Sequence, residues 1–97
     1  MGMIHVAVLT YVRPLEEIDR EMAAHAAWLD KGYADGTFIA SGRRVPRNGG
    51  VILCRGDSVE AIRLLMREDP FQRLGLATLE LIPFDASRAA DALRELF

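Results

Sequence analysis

The chain has 97 residues, which is the size of one domain, and we expect a single domain over residues 1–97. Hydrophobic residues make up 51% of the chain and charged residues 27%, which argues against disorder. In so small a chain this apolar content indicates that a second surface is buried in an oligomer. The net charge of −2 argues against a general nucleic-acid binder, because such proteins are usually basic.

Cysteine usage and the N-terminus bear on the compartment. Cys54 is the single cysteine, so no internal disulfide can form, and this is typical of a reducing compartment. The N-terminal residues do not have the shape of a signal peptide, and no apolar run has the length of a transmembrane helix. We therefore expect a cytoplasmic protein without a membrane partner.

The first predicted strand and helix open the chain. Residues 4–11 are mostly apolar on both faces, which is typical of a central strand. Pro14 opens a predicted helix in which Glu16 and Glu17 lie at the positive end of the helix dipole. Apolar residues recur along this helix at helical spacing, and they predict its buried stripe: Leu15, Ile18, Met22, Ala26 and Leu29.

A predicted hairpin follows the first helix. Its strands cover residues 37–42 and 51–55, and a polar segment joins them. Within that segment, Asn48-Gly49 favours positive φ and therefore a tight hairpin turn.

The second half of the chain completes the pattern. Asp57 and Glu60 have the spacing of a capping box and predict a second helix. A short helix restarts after Asp69, residues 77–84 form the fourth predicted strand, and residues 87–97 fit a C-terminal helix. The inward residues of the second helix would be Val59, Ile62, Leu65 and Met66, and Ala89, Leu93 and Leu96 lie on one stripe of the C-terminal helix.

The order of these elements predicts an α+β fold. With right-handed crossovers, β-α-β-β-α-β gives a ferredoxin-like, four-stranded antiparallel sheet with both main helices on one face, followed by the C-terminal helix. In the third strand, Val51 and Leu53 point one way, whereas Ile52 and Cys54 point the other way. The face that the helices cannot cover is therefore apolar, and we predict a homodimer that packs two such faces together.

His25 lies on the apolar stripe of the first predicted helix. It follows Met22 by three residues and precedes Leu29 by four, so it faces the sheet. One interpretation is a histidine at the edge of the core that donates to a backbone carbonyl. The other is a general acid or base, because histidine changes its protonation state near neutral pH.

Asp69 also has two interpretations. In the first, Asp69 is the N-cap of a helix that has Pro70 at its first position, and this role alone fully explains the residue. As a partner of His25, it would fix the tautomer of the imidazole and stabilise the protonated ring. Both residues lie about ten residues, or roughly 15 Å, along two main helices that run side by side, so the spacing permits a pair.

Four segments carry a resemblance over nearly the whole chain: His25-Ala26-Ala27-Trp28-Leu29, Ala40-Ser41-Gly42, Gly49-Gly50-Val51-Ile52-Leu53 and Asp69-Pro70-Phe71. In this order and spacing they resemble the YciI-like (YCII-related) family over residues 3–85. The resemblance implies a dimeric α+β barrel, in which two ferredoxin-like sheets pack face to face with a cleft beside each. Residues 87–97 lie beyond it.

The resemblance also implies site residues. A His-Asp pair proposed as the active site of the family maps onto His25 and Asp69. The Ser-Gly that follows the second strand maps onto Ser41 and Gly42, at the cleft. Relatives resemble muconolactone isomerase in fold, and some are linked to elimination-type chemistry on ring compounds, an implication that rests on analogy.

Other side chains could help to bind a ligand. Arg13 is the best of the predicted loop arginines for binding a carboxylate or phenolate, because it follows the central first strand. Solvated loop charges explain Arg44 and Arg47 better. Trp28, three residues after His25, either packs in the core or walls a substrate pocket. The four arginines considered are Arg13, Arg43, Arg44 and Arg47.

No metal and no cofactor is predicted. His5 and His25 are twenty residues apart without nearby Cys or His spacing, and no glycine-rich loop has a phosphate-binding pattern. Cys54 lies in mid-strand and is better explained as a small buried hydrophobe than as a nucleophile. A haem-dependent oxygenase on this fold stays open, although no axial ligand better than His25 is present.

Two functions follow from these residues. The first is a small-molecule enzyme, a lyase, isomerase or hydrolase, in which His25 is the acid or base and Asp69 orients it. Ser41 or Arg13 would hold a small cyclic or aromatic substrate that is hydroxylated or acidic. The second is a non-catalytic, dimeric ligand-binding or regulatory module that uses the same pocket. An RNA-binding domain fits poorly, because strand 51–55 lacks base-stacking aromatic residues.

Overall fold

The computed structural model describes residues 2–96 of the chain. The strands are β1 (Gly2–Tyr11), β2 (Phe38–Arg43), β3 (Gly49–Arg55) and β4 (Ala77–Ala86). The helices are α1 (Leu15–Arg20), α2 (Met22–Ala34), α3 (Val59–Met66) and α4 (Pro70–Arg73), and a 3₁₀ helix covers Asp91–Leu96. None of the helices within residues 2–96 has the length and apolar character that crossing a bilayer requires.

The four strands form one antiparallel sheet in the order β2-β3-β1-β4. The first strand is central, as its apolar faces predict, and it pairs with β3 on one side and β4 on the other. This is the ferredoxin-like order, so the predicted α+β fold with a four-stranded sheet is confirmed.

One face of the sheet carries the hydrophobic core. Ala7, Leu9 and Ile52 lie on that face, and they pack in one cluster with Ile18 of α1 and Met66 of α3. All five are at most 2% exposed. The helices therefore cover a single face, and we call the opposite face the open face.

The first predicted helix is divided at Glu21 into α1 and α2, and its buried stripe differs from the prediction. Ile18 is buried as predicted, but Leu15 is 41% exposed and Ala26 is also exposed. Within α2 the buried residues are Trp28 and Gly32, whereas Met22 and Leu29 of the predicted stripe are half-buried. The spacing therefore identified the helical segment but not the side that is buried along its whole length.

Two local predictions were wrong by one residue. Ser58, not Asp57, is the N-cap of α3, and its hydroxyl accepts a hydrogen bond from the amide of Ala61. Asn48-Gly49 does not form a turn with positive φ, because Gly49 is already the first residue of β3. A Cβ at Gly49 would lie 1.8 Å from the carbonyl oxygen of Leu9, so close strand pairing requires this glycine.

A β-bulge near the start of β2 decides which side chains of that strand face the helices. Phe38 pairs with Cys54 and Ala40 with Leu53, so Ile39 is the extra residue between them. Beyond the bulge the alternation is shifted by one residue, and Ser41 comes to lie opposite Ile52. Ser41 and, two residues later, Arg43 therefore project from the helix-covered face.

The open face is apolar and partly covered by the C-terminal segment. Leu53 lies on this face, since it pairs with Val6 while Ile52 pairs with the buried Ala7. Ile82 and Phe84 of β4 share the face and are 45% and 47% exposed. The face that the sequence predicted to be left uncovered by the main helices is thus present.

The C-terminal helix predicted over residues 87–97 is shorter than expected and is not an α-helix. Its regular part is the 3₁₀ helix Asp91–Leu96, and Phe97 lies outside the described residues. Ala89, Leu93 and Leu96, predicted to share one stripe, together line a cavity of about 450 Å³ with residues of the open face. Arg55 Nη1 donates to the carbonyl oxygen of Leu96 at 2.8 Å and so ties this segment to β3.

Candidate active site

A small cavity lies between α2 and the helix-covered face of the sheet. Its volume is about 130 Å³. Most of its wall is apolar or glycine backbone, and the polar groups of the lining side chains are those of His25, Ser41 and Arg43 and the hydroxyl of Tyr11. The apolar part includes Leu9, Tyr11, Met22, Leu29 and Ile52. Such a wall, with a few convergent polar groups, is typical of a small-molecule site.

His25 and Asp69 meet at this cavity. His25 Nδ1 lies 2.7 Å from Asp69 Oδ1, and the two side chains are 13% and 0% exposed. Because Asp69 occupies Nδ1, the ring nitrogen that is left for a ligand is Nε2. A neutral ring in this arrangement donates its Nδ1–H to the carboxylate and keeps a lone pair on Nε2, which is the form that a general base requires.

Asp69 caps a helix and contacts His25 through the same oxygen. Its Oδ1 also accepts a hydrogen bond of 3.1 Å from the amide of Phe71, at the start of α4. Its Oδ2 is buried, with no hydrogen-bond partner in residues 2–96. The two interpretations that the sequence left open for Asp69 are therefore compatible, since the cap anchors the carboxylate that His25 uses.

Phe71 holds the imidazole from its face. The rings of His25 and Phe71 are stacked with a centroid distance of 4.1 Å and an interplanar angle of 8°. Phe71 is itself 2% exposed, so its ring has a fixed position in the core. Asp69 thus contacts the edge of the imidazole and Phe71 stacks on its face. The two contacts leave the His25 ring little freedom to rotate.

Ser41 lies in the cavity wall, and Gly42 follows it there. The hydroxyls of Ser41 and Tyr33 are 2.7 Å apart, and Tyr33 belongs to α2, two turns beyond His25. This hydrogen bond fixes the orientation of the Ser41 hydroxyl. The sequence does not identify Tyr33 as a site residue, because no motif distinguishes it from any other exposed helical tyrosine.

The structure separates the four arginines. Arg13 is paired with Glu17 at 2.9 Å on the surface, and it does not line the cavity. Arg44 donates to Thr10, and Arg47 is paired with Asp19, whose hydrogen bond raises the pKa of Arg47. Arg43 lines the cavity, because the bulge in β2 turns this position to the helix-covered face. The arginine at the site is thus Arg43 and not Arg13.

Trp28 is a core residue that does not line this cavity. It is 7% exposed, and its ring lies 5.8 Å from that of His25 and 5.1 Å from that of Phe38. Trp28 therefore packs beside the imidazole of His25, on the side of the ring that faces the core. The packing alternative that the sequence left open for Trp28 describes its position better than a wall in contact with substrate.

The remaining candidates for chemistry are buried away from the cavity wall. His5 is 0% exposed, and its Nε2 lies 2.8 Å from the carbonyl oxygen of Gly56. Cys54 is also 0% exposed, and burial raises the pKa of its thiol to about 12, which describes an inert side chain. Among residues 2–96 no three His, Cys, Asp or Glu side chains are grouped as metal ligands would be.

Comparison with known proteins establishes the family. A family model for the YCII-related domain matches residues 3–85. The chain belongs to the YCII-related family. The resemblance seen in the sequence is therefore confirmed, with the same boundaries. No curated protein sequence matches the chain.

Two solved structures share the fold of this YCII-related chain. One is 5-chloro-2-hydroxyhydroquinone dehydrochlorinase (TftG) from Burkholderia phenoliruptrix in complex with 2,5-dihydroxybenzoquinone, which is 18% identical, with 89% of this chain and 95% of that chain covered and a TM-score of 0.71. The other is a mutant of SnoaB, a cofactor-independent oxygenase from Streptomyces nogalater, also 18% identical, with 93% and 97% covered and a TM-score of 0.52. At this identity, the likeness establishes the fold.

Proposed function

We propose that this chain is an enzyme that transfers a proton to or from a small cyclic or aromatic substrate, with His25 as the acid or base. The observation that carries the proposal is the 2.7 Å contact between His25 Nδ1 and the buried Asp69 carboxylate, at a cavity that His25 itself lines. A carboxylate in this position stabilises the imidazolium that forms when Nε2 takes a proton.

The proton balance of such a reaction is simple. His25 Nε2 accepts a proton from a C–H or O–H group of the substrate, and the ring becomes imidazolium opposite ionised Asp69. In an isomerisation the same nitrogen returns the proton to another atom of the substrate. In an elimination a leaving group departs with its electron pair, and His25 releases the proton to water. In a hydrolysis the proton comes from the attacking water.

The size of the cavity supports a single ring as substrate. A volume of about 130 Å³ is close to that of a protein cavity, about 150 Å³, that binds benzene. The similar dehydrochlorinase structure holds 2,5-dihydroxybenzoquinone, a single hydroxylated ring. The similar oxygenase is cofactor-independent, which is compatible with chemistry carried out by side chains alone. The hydroxylated ring and the lyase, isomerase or hydrolase class are proposals for this chain.

We also propose that two copies of the chain pack through the open face of the sheet, as a dimeric α+β barrel. The support is physical: Leu53 and Val6 lie on this face beside Ile82 and Phe84, which are 45% and 47% exposed. Apolar area of this kind is typically covered in a stable protein. The C-terminal segment covers one end of the face.

The test of the proposed function separates an enzyme from a binding module. Small cyclic acids and phenols would be screened for stabilisation of the wild-type chain, and turnover of each hit would be compared with that of His25→Asn. We expect His25→Asn to keep its affinity for the hits within a few-fold and to lose turnover by about 10²–10⁴-fold. Equal turnover by both proteins would remove His25 from the reaction. Hits that bind but are never turned over would favour the non-catalytic module.

A further inference from the structure

We infer that Arg43 and Ser41 form an anion-binding pole of the cavity, and that the ligand of this site is a single-ring carboxylate. The pole faces the same space as His25, so the inference deepens the proposed function by naming its substrate class. It rests on that proposal only in using the same cavity.

Arg43 differs from the other arginines of this region in what it contacts. Arg13, Arg44 and Arg47 each donate a hydrogen bond to another side chain. Arg43 makes no hydrogen bond or salt bridge to any side chain within residues 2–96, and it lines the cavity. Its guanidinium thus keeps all of its N–H donors for water or a ligand.

The wall around Arg43 carries no negative charge. Among residues 2–96, no Asp or Glu side chain lines the cavity. The nearby carboxylate of Asp69 lies behind His25 and is 0% exposed. An anion that enters the cavity therefore meets a guanidinium and an imidazole, and it meets no carboxylate.

The bulge in β2 gives the pole its geometry. Ser41 and Arg43 are two residues apart on the same strand beyond Ile39, so their side chains project from one face about 7 Å apart. The Tyr33 hydroxyl holds Ser41 Oγ at 2.7 Å. One donor is thus fixed by a hydrogen bond, and the other is a flexible, forked cation beside it.

These donors fit a carboxylate better than a neutral ring. The planar guanidinium of arginine matches the two oxygens of a carboxylate with two parallel hydrogen bonds. When the Tyr33 hydroxyl donates to Ser41 Oγ, the proton of the Ser41 hydroxyl is left to donate a third. With the carboxylate at this pole, the ring fills the apolar part of the cavity and a ring position faces His25 Nε2. Arg43 would thereby choose which substrates are bound and in which orientation.

The experiment compares acids with their uncharged amides. 4-Hydroxybenzoate, 2-hydroxybenzoate and the two corresponding amides would be titrated calorimetrically at pH 7.5 into wild type, Arg43→Gln, Arg43→Lys and Arg63→Gln. Arg63 is exposed on α3 and does not line the cavity, so Arg63→Gln matches the change in net charge. Melting temperatures would establish that each variant is folded.

We expect wild type to bind an acid about tenfold more tightly than its amide. Arg43→Gln should lose this preference while its affinity for the amides stays unchanged, and Arg43→Lys should keep only part of it. Arg63→Gln should behave as wild type. The inference is overturned if Arg43→Gln keeps the preference for acids, if Arg63→Gln loses it equally, or if wild type prefers no acid to its amide.

Failure of this inference and failure of the proposed function give different results. A preference for acids that depends on Arg43, in a protein that turns over none of its ligands, would support the anion-binding pole and contradict the enzyme. Turnover that depends on His25, with an acid preference that survives Arg43→Gln, would support the enzyme and contradict the pole. Calorimetry on His25→Asn measures the preference for acids in a protein that lacks the proposed acid or base.

Discussion

Asp69→Asn is the substitution that best tests how the site is built. Both N–H groups that reach Asp69, from His25 Nδ1 and from the amide of Phe71, point at Oδ1. The backbone N–H can only donate, so it forces the amide oxygen of the asparagine into the Oδ1 position. The new NH₂ group then replaces Oδ2, which is buried without a partner in residues 2–96.

The magnitudes follow from these contacts. Asp69→Asn keeps both acceptor contacts and exchanges one unpartnered buried group for another, so we expect the free energy of unfolding to fall by less than about 1 kcal/mol. Asp69→Ala loses the cap and leaves His25 Nδ1 without its partner, and should cost roughly 2–4 kcal/mol. Both variants remove the charge that stabilises an imidazolium, so turnover of any substrate should fall by about 10²-fold or more.

Two measurements decide the outcome. Urea denaturation gives the stabilities of wild type, Asp69→Asn and Asp69→Ala, and ¹⁵N NMR of the ring nitrogens gives the tautomer of neutral His25. We expect Asp69→Asn to keep the Nδ1–H tautomer, because its amide oxygen stays between His25 and the Phe71 amide. An Nε2–H tautomer, or a loss of stability as large as that of Asp69→Ala, would refute this reasoning. Unchanged turnover would leave Asp69 as a cap alone.

Three further substitutions test the packing. Leu53→Glu should give a folded monomer by light scattering and circular dichroism, whereas Ile52→Glu, at a site 2% exposed, should unfold the chain at a cost of roughly 4–5 kcal/mol; a dimeric Leu53→Glu would contradict the proposed interface. Gly49→Ala should cost about 3 kcal/mol in urea denaturation, because its Cβ would collide with the Leu9 carbonyl. Between the ordinary thiol pKa of 9.0 and the raised pKa of about 12, only the unfolded chain loses the Cys54 proton, so wild type should lose about 1.4 kcal/mol of stability per pH unit relative to Cys54→Ala. Parallel curves for these two proteins would contradict the burial of the thiol.

The sheet was predictable because its strands follow a period of two over long apolar runs. β1 is apolar on both faces, and this places it in the centre of the sheet before any pairing is known. The ends of elements were less predictable, since each end depends on one local hydrogen bond. Ser58 and Asp57 are both good N-caps, and only the folded backbone shows that the amide of Ala61 reaches Ser58. The C-terminal segment is set by contacts with the open face, which its own spacing does not report.

The candidate site was predictable in part. The spacing predicts equal heights for His25 and Asp69 on two long helices, and the two side chains do meet at 2.7 Å. The helices themselves differ from that prediction, because the first is divided at Glu21 and Asp69 lies beyond the end of α3, as the N-cap of α4. Phe71 lies in one of the segments that resemble the YCII-related family, but nothing in the sequence shows that its ring would stack on that of His25. The sequence favoured Arg13 because it follows the central strand, but closeness to a central strand does not determine which way a side chain points. Arg13 pairs with Glu17 outside the cavity, and Arg43 lines the cavity.

The bulge at Ile39 accounts for the position of Arg43 and connects the fold to the site. In a regular strand that begins with Phe38 in the core, Ala40 and Gly42 would share its face, and Ser41 and Arg43 would point to the open face. One extra residue reverses this, so that the polar pair enters the cavity and the smaller residues turn to the open face. An apolar open face and a cavity lined by polar donors have opposite requirements on one strand. The bulge satisfies both requirements at the cost of one unpaired position in an edge strand.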